Sequence, residues 1–186
     1  KEPREPDRGD RSVVFQLPEQ ARQHGKFRAE IADLGTINLP MMDEPEHPRL
    51  RRYQHDHTKA WSARIERSHA FVFVTPEYNY GTPPSLLNAL DYLVAEWAYK
   101  PVGFVSYGGV SGGLRGVQMT KQIVTAFKMV PLVEAVAVPA FTRFIDPATG
   151  VFAPEEIHAT NAAKMLDELL RWSDALRVLR PPATSS

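Results

Sequence analysis

An apolar run leads directly into a polar, aromatic loop at Phe71-Val72-Phe73-Val74-Thr75-Pro76-Glu77-Tyr78-Asn79-Tyr80-Gly81. Such a run is typical of a strand buried on both faces of a parallel sheet. In open α/β sheets, ligands bind in the crevice at the carboxyl ends of the strands. The residues from Pro76 onward therefore form a candidate binding site. An ordinary strand-to-helix turn, with tyrosines packed on neighbouring side chains, is the alternative.

A second apolar run, residues 101–107, ends in a loop with four glycines among the six residues 108–113. Glycine lets the backbone approach a ligand closely and adopt positive φ, while Ser106 and Ser111 add hydroxyl groups. Two such loops, following consecutive parallel strands, open onto the same edge of the sheet. The tyrosines and Asn79 of the first loop suit a flat heteroaromatic ligand, whose face they contact and whose polar edge they bind.

The rest of the chain alternates between strand-like and helix-like segments, which predicts a parallel sheet with helices on both faces. Residues 12–25 fit either a short helix or a strand at 13–17. We expect one domain over residues 1–180, irregular at 1–12, and a disordered tail at 181–186. The predicted strands are 27–34, near an edge and with one wetter face, 71–74, 101–107 and 133–138, and the predicted helices are 58–67, 83–96, 115–129 and 155–179.

Composition narrows the classes of partner. The 186 residues include 22 acidic and 22 basic side chains and no cysteine. A neutral chain has no net field to attract nucleic acid or anionic lipid, and no apolar segment approaches the roughly 20 residues that cross a bilayer. We therefore expect a cytoplasmic protein with small-molecule or protein partners and no nucleic-acid or membrane partner. No metal site is predicted, because His47, His55 and His57 lack a recognised ligand spacing.

The two loops resemble a known family. Residues 75–81, followed by Pro84 and residues 86–91, are similar to the signature of the NADPH-dependent FMN reductases. Residues 100–116 resemble the next strand and glycine loop of that family. The resemblance implies a flavodoxin-like, doubly wound α/β fold. It also implies an enzyme in which NADPH or NADH reduces bound FMN, which then reduces free flavin, quinones, azo compounds or metal oxyanions.

The same resemblance implies a set of site residues. Because the chemistry belongs to the flavin, no side chain need act as a catalytic acid or base. Members of the family are commonly homodimers or homotetramers with the flavin near a subunit interface, where Tyr80 and Arg115 would lie. The residues that would border the isoalloxazine ring are Pro76, Glu77, Tyr78, Asn79, Ser106, Gly108 and Gly109.

The chain departs from the family at its N-terminus. Family members begin with an apolar strand and a Gly-Ser-x-Arg loop that wraps the FMN phosphate, and neither is evident here. Arg4, with Arg8 or Ser12, is the candidate phosphate partner, although Glu2 stands where the serine should be. We expect residues before Lys1 to supply the missing strand. The alternatives are that residues 13–17 replace it or that the chain is a compromised relative.

Two other functions remain open at the level of sequence. The first is a flavin-binding or interaction module on the same fold that performs no turnover. The second is a flavodoxin-like electron carrier, which the equal numbers of acidic and basic residues make less favourable, since such carriers are usually strongly acidic.

Overall fold

The computed structural model describes residues 20–180. The sequence-based expectations for residues 1–19, including Arg4, Ser12 and the possible strand at 13–17, lie outside this range, as does the expected tail at 181–186. Residues 20–24 are helical.

Three parallel strands form the described sheet: β1 (Phe71–Pro76), β2 (Pro101–Gly108) and β3 (Val130–Pro139). β2 lies in the middle and pairs with both neighbours, so that Phe104 stands opposite Phe73 on one side and Ala135 on the other. This is the order of the last three strands in the 2-1-3-4-5 arrangement of a flavodoxin-like sheet. The predicted α/β fold is confirmed.

Helices cover both faces of the sheet. One face carries α5 (Glu156–Leu176), whose Met165 and Leu169 pack with Val105 of β2. The other face carries the remaining long helices, whose buried side chains pack around Phe104. These helices are α2 (Asp56–Glu66), α3 (Pro84–Asp91) and α4 (Leu114–Ala126); the short α1 (Leu34–Ile37) precedes them, and 3-10 turns lie at Pro48–Leu50, Ala95–Trp97, Phe141–Phe144 and Arg177–Leu179.

Burial along the strands follows their position in the sheet. Residues 101–107 of β2 are all buried, because this strand has a neighbour on each side and helices on both faces. Residues 71–74 of β1 are only half-buried, so the expectation of a fully buried strand is wrong for β1. The reason is that β1 pairs with a described strand on one side only.

A bulge interrupts the pairing of β3 with β2. Between the pairs Val102–Pro131 and Phe104–Ala135, β2 has one residue and β3 has three, residues 132–134. The bulged carbonyl of Leu132 accepts a hydrogen bond from Lys121 Nζ of α4 at 2.5 Å. The extra residues of a bulge disrupt the ladder and increase the local twist.

Two buried charged groups anchor α2. Lys100 Nζ donates to the last carbonyls of the helix, those of Ile65 at 2.7 Å and Glu66 at 3.0 Å. Burial lowers the pKa of Lys100 to about 8. Glu96, only 1% exposed, accepts hydrogen bonds on Oε1 from the hydroxyls of Ser62 at 2.7 Å and Tyr53 at 2.9 Å. These contacts fix α2 against the segment between α3 and β2.

The structure corrects two further predictions. Residues 27–33 form no strand, although their burial alternates as the period-two pattern predicted, since no described strand lies beside them to provide ladder hydrogen bonds. α3 ends at Asp91 rather than near Glu96, and a 3-10 turn follows at Ala95–Trp97. There Trp97 turns into the core and its indole N–H donates to the carbonyl of Leu90.

Candidate flavin-binding edge of the sheet

The two predicted loops meet at the carboxyl edge of the sheet. Pro76 at the end of β1 pairs with Tyr107, and the N–H of Glu77 donates to the carbonyl of Tyr107 at 3.3 Å. The first loop, residues 76–81, therefore begins beside the last residues of β2. The second loop, residues 109–113, follows β2 directly. Sequence reasoning thus placed both loops correctly on one edge.

The first loop closes in a two-residue turn. Tyr78 and Gly81 exchange both backbone hydrogen bonds, at 2.9 and 3.2 Å. Asn79 and Tyr80 between them have φ of +50° and +68°, the geometry of a type I′ turn. The rings of Tyr78 and Tyr80 remain 53% and 67% exposed. The turn therefore exposes two aromatic rings, as the hypothesis of a ligand-binding loop predicts.

Glu77 turns its side chain away from solvent and into the protein. The side chain is 6% exposed, and its Oε2 accepts hydrogen bonds from Ser111 Oγ at 2.9 Å and from the backbone N–H of Arg115 at 3.0 Å. The N–H of Gly116 adds a longer bond of 3.3 Å. Oε1 accepts from Arg115 Nε at 2.7 Å. Glu77 thus joins the first loop to the second loop and to the start of α4.

These donors determine the protonation state of Glu77. Burial alone would raise the pKa of this carboxyl group, but the hydrogen bonds from Arg115 and Ser111 favour the charged form more strongly. The pKa is therefore held below its ordinary value. The Arg115 guanidinium also lies 3.9 Å from the centre of the Tyr80 ring, a cation–π contact. The Arg115 side chain of α4 therefore contacts both Glu77 and Tyr80 of the first loop.

Glycine is required at the end of the second loop but not at its beginning. Gly113 has a φ of +86°, and a Cβ there would lie 2.8 Å from Ser106 Cβ and 2.9 Å from the backbone nitrogen of Tyr107. A Cβ on Gly109 would meet nothing within 4 Å. Ser106, which is 1% exposed, donates through Oγ to the carbonyl of Gly112 at 2.8 Å. The hydrogen bond from the buried Ser106 therefore fixes the end of the loop, whereas the backbone at Gly109 has open space beside it.

The predicted ring-binding residues separate into two groups. Tyr78, Asn79 and Gly109 are exposed on the two loops, and Pro76 and Gly108 are half-buried at the ends of β1 and β2. The side chains of Glu77 and Ser106 are instead bonded within the protein. Arg4 and Ser12 lie outside the described residues.

Sequence reasoning missed the partners of Glu77, which are Ser111, Arg115 and Gly116. The sequence did indicate that a cap was missing. Gly113, at the N-cap position of α4, has no side chain with which to accept a hydrogen bond from the first N–H groups of the helix.

The open side of the second loop fits the ring of a flavin. Space at Gly109 allows a planar group to lie against the backbone. No described residue accepts a hydrogen bond from the backbone N–H groups of Val110 and Ser111, which leaves them available to a ligand carbonyl or ring nitrogen. Together with the exposed tyrosine rings, this donor set suits the polar edge and flat face of an isoalloxazine.

Residues 20–180 provide neither a metal-binding cluster nor a membrane-spanning helix. No group of histidine, aspartate and glutamate side chains there has an arrangement that would hold a metal ion. No helix in that part of the chain has both the length and the apolar character to span a bilayer.

Comparison with known proteins identifies the family. Residues 4–143 match the NADPH-dependent FMN reductases, and the chain belongs to this family. It is 42% identical over 144 residues to an NAD(P)H-dependent FMN reductase of Schizosaccharomyces pombe, covering 74% of this chain and 72% of the relative. A reductase of the same name from a Nectria species is 31% identical over 170 residues, covering 86% of this chain and 83% of the relative.

The structural comparison agrees on the fold. The flavoenzyme NAD(P)H:(acceptor) oxidoreductase of Paracoccus denitrificans superposes with a TM-score of 0.66 at 21% identity, covering 89% of this chain and 91% of that one. The resemblance drawn from the two loops is therefore confirmed. So is the expected class of enzyme, an NAD(P)H-dependent oxidoreductase of the FMN reductase family.

Proposed function

We propose that this chain binds FMN across the ends of β1 and β2 and uses it to pass electrons from NADPH or NADH to a small-molecule acceptor. The observation that carries this proposal is the pairing of two loops at one sheet edge, each with the features of a flavin loop. One presents exposed tyrosine rings, and the other has, beside an open glycine, two backbone N–H groups from which no residue of the range 20–180 accepts a hydrogen bond. Membership of the FMN reductase family supports the same reading.

The ring contacts follow from what each loop exposes. Pro76, Tyr78 and Asn79 would border the ring from the first loop, and Gly108 and Gly109 from the second. The sequence also predicted that Glu77 and Ser106 contact the ring. Because their polar atoms are bonded within the protein, we propose that they hold the loops in place and do not contact the ring. Arg4 and Ser12 remain the candidates for binding the phosphate.

Bound FMN would supply the two-electron chemistry, accepting hydride from the nicotinamide and passing reducing equivalents onward. The residues of this chain would hold and orient the ring. No acid or base is required from the described side chains of the two loops. The exposed rings of Tyr78 and Tyr80 leave room for a flat acceptor to stack beside the flavin. The proposed class of acceptor is free flavin, quinones, azo compounds or metal oxyanions.

We also propose that the chain forms a homodimer or homotetramer in the cytoplasm. Apolar side chains around the two loops are exposed in the single chain, and burying them against a second copy would favour association. Their positions agree with a flavin placed near a subunit interface. The exposed side chains are Tyr78, Tyr80, Val110, Leu114 and Met119. One domain over residues 1–180 with a disordered tail after it also remains a prediction.

The test is addition of FMN to the purified chain, followed by spectroscopy and turnover assays. We expect the protein to retain flavin through gel filtration and to oxidise NADPH when an acceptor such as a quinone is supplied. Flavin retained without NADPH oxidation would indicate a binding module instead. A chain that retains no FMN would contradict the proposed enzyme while leaving the fold unaffected.

A further inference from the structure

The carboxylate of Glu77 has no capacity left for a ligand. Oε2 accepts from Ser111 Oγ and from the N–H groups of Arg115 and Gly116, and Oε1 accepts from the Arg115 guanidinium. The side chain is 6% exposed. A charged group that is buried and fully bonded within the protein is suited to holding its neighbours in place.

The groups that Glu77 holds belong to three separate elements. Glu77 itself lies in the first loop, Ser111 in the glycine loop, and Arg115 and Gly116 in the first turn of α4. Gly113 at the N-cap of α4 has no side chain, so the uncapped N–H groups of Arg115 and Gly116 donate instead to Glu77, which precedes Arg115 by 38 residues along the chain. A negative charge at a helix N-terminus is also favourable with respect to the helix dipole.

The backbones at this junction are in close contact. A Cβ on Gly116 would lie 2.9 Å from the carbonyl oxygen of Gly81 and 3.5 Å from Glu77 Cα. The first turn of α4 therefore rests directly on the first loop. Arg115 extends the contact by stacking on Tyr80 while it pairs with Glu77. One carboxylate thus bonds to both loops and to the helix that follows them, in addition to the strand pairing and the backbone contact.

We propose that Glu77 is a positioning residue that fixes the two flavin loops relative to each other before FMN binds. This inference rests on the proposed function, and it differs from the expectation that Glu77 borders the ring. Loops that are already ordered do not lose conformational entropy when the ligand arrives, which favours tight binding. Loss of the carboxylate would let the loops sample arrangements that do not bind flavin.

Glu77→Gln is the variant for the main test, because it keeps the shape of the side chain and removes its charge. Glu30→Gln is the matched control. Glu30 also accepts hydrogen bonds from two arginines, Arg64 and Arg67, but it lies in neither loop. The measurements are FMN affinity by quenching of flavin fluorescence, the visible circular dichroism of bound flavin at saturation, and hydrogen exchange of the FMN-free proteins.

In Glu77→Gln, we expect FMN to bind about tenfold more weakly, as it would if the competent arrangement fell to about one tenth of the population. The circular dichroism of the bound flavin should change, and the amides of Arg115 and Gly116 should exchange faster without FMN. Glu30→Gln should match the unmodified protein in all three measurements. Unchanged affinity and dichroism in Glu77→Gln, or equal changes in the control, would overturn the proposal.

A second variant covers the case in which Glu77→Gln fails to fold. Ser111→Ala removes one donor to the carboxylate and leaves the charge in place. Compared with the unmodified protein, Ser111→Ala should bind FMN more weakly, and the amides of Arg115 and Gly116 should exchange faster without FMN, because the carboxylate that holds them loses one of its own partners. Unchanged affinity and unchanged exchange in Ser111→Ala would contradict the proposal.

The exchange measurement separates this proposal from the proposed function. If the unmodified chain binds no FMN, the proposed function fails, and faster exchange in Glu77→Gln then supports the positioning of the loops by itself. Unchanged exchange in that case overturns the positioning as well.

Discussion

Replacing two glycines of the second loop, one at a time, tests how the loop is built. Gly113→Ala places a methyl group where the structure leaves no room, 2.8 Å from Ser106 Cβ, on a backbone with a φ of +86°. Gly109→Ala places the same group where nothing lies within 4 Å, on a backbone outside the positive-φ region. The two substitutions are identical chemically and lie four positions apart.

The magnitudes follow from those two environments. The left-handed backbone costs an alanine about 1–2 kcal/mol. Forcing a methyl group into a closely packed site costs about 1–3 kcal/mol more. Alanine also restricts the unfolded chain more than glycine does, which offsets about 0.4–1 kcal/mol of this destabilisation. Gly113→Ala should therefore lower the free energy of unfolding by about 3 kcal/mol, which for a domain of this size lowers Tm by about 9 °C.

Gly109→Ala should leave Tm unchanged or raise it slightly, because only the gain from the unfolded chain applies. It should nevertheless weaken FMN binding, since the added methyl group occupies the space proposed for the ring. Thermal unfolding of the FMN-free variants and FMN titration measure the two effects separately. Equal Tm values for both variants, or a larger loss of stability in Gly109→Ala, would refute the reasoning.

Three further outcomes are expected. Glu96→Ala should lower the free energy of unfolding by about 3 kcal/mol in urea denaturation, because the buried Ser62 hydroxyl loses its acceptor and the Tyr53 hydroxyl keeps only a longer bond to the Pro48 carbonyl; a loss below about 1 kcal/mol would contradict this. The pKa of Lys100 is about 8 in the folded protein and 10.5 in the unfolded chain. Between these two pH values the unfolded state binds more protons, so the free energy of unfolding should rise with pH over that range. Comparison with Lys100→Met isolates this effect, and identical pH profiles would disprove it. Leu114→Glu should shift the protein to a smaller species in light scattering, since an acidic side chain suits the first turn of α4 but not an apolar interface; an unchanged mass would argue against this surface as the interface.

The sequence predicted those parts of the fold whose causes are local. The apolar runs at β1 and β2 and the glycine loop after β2 were placed correctly, because each pattern spans a single element. The strand predicted at 27–34 failed for a different reason. Its burial pattern is as expected, but a strand also needs a neighbour, and none of the described strands lies beside it.

The role of Glu77 illustrates the same limit within the site. A charged residue in a loop at the carboxyl edge of a sheet is reasonably expected to face a ligand. Its actual partners, Ser111 and Arg115, lie more than thirty residues away along the chain, and only the folded structure brings them together. The glycine at the start of α4 indicated a missing cap without identifying the residue that provides it.

The bulge in β3 also affects how copies of this chain could associate. A regular outer strand offers alternating N–H and C=O groups on which a second chain can add a strand. In β3 the ladder is broken at residues 132–134, the carbonyl of Leu132 is held by Lys121, and Val133 is 86% exposed. This strand is therefore poorly suited to continuous sheet formation between molecules. At this strand, association of two copies through the loops and helices is favoured over edge-to-edge pairing.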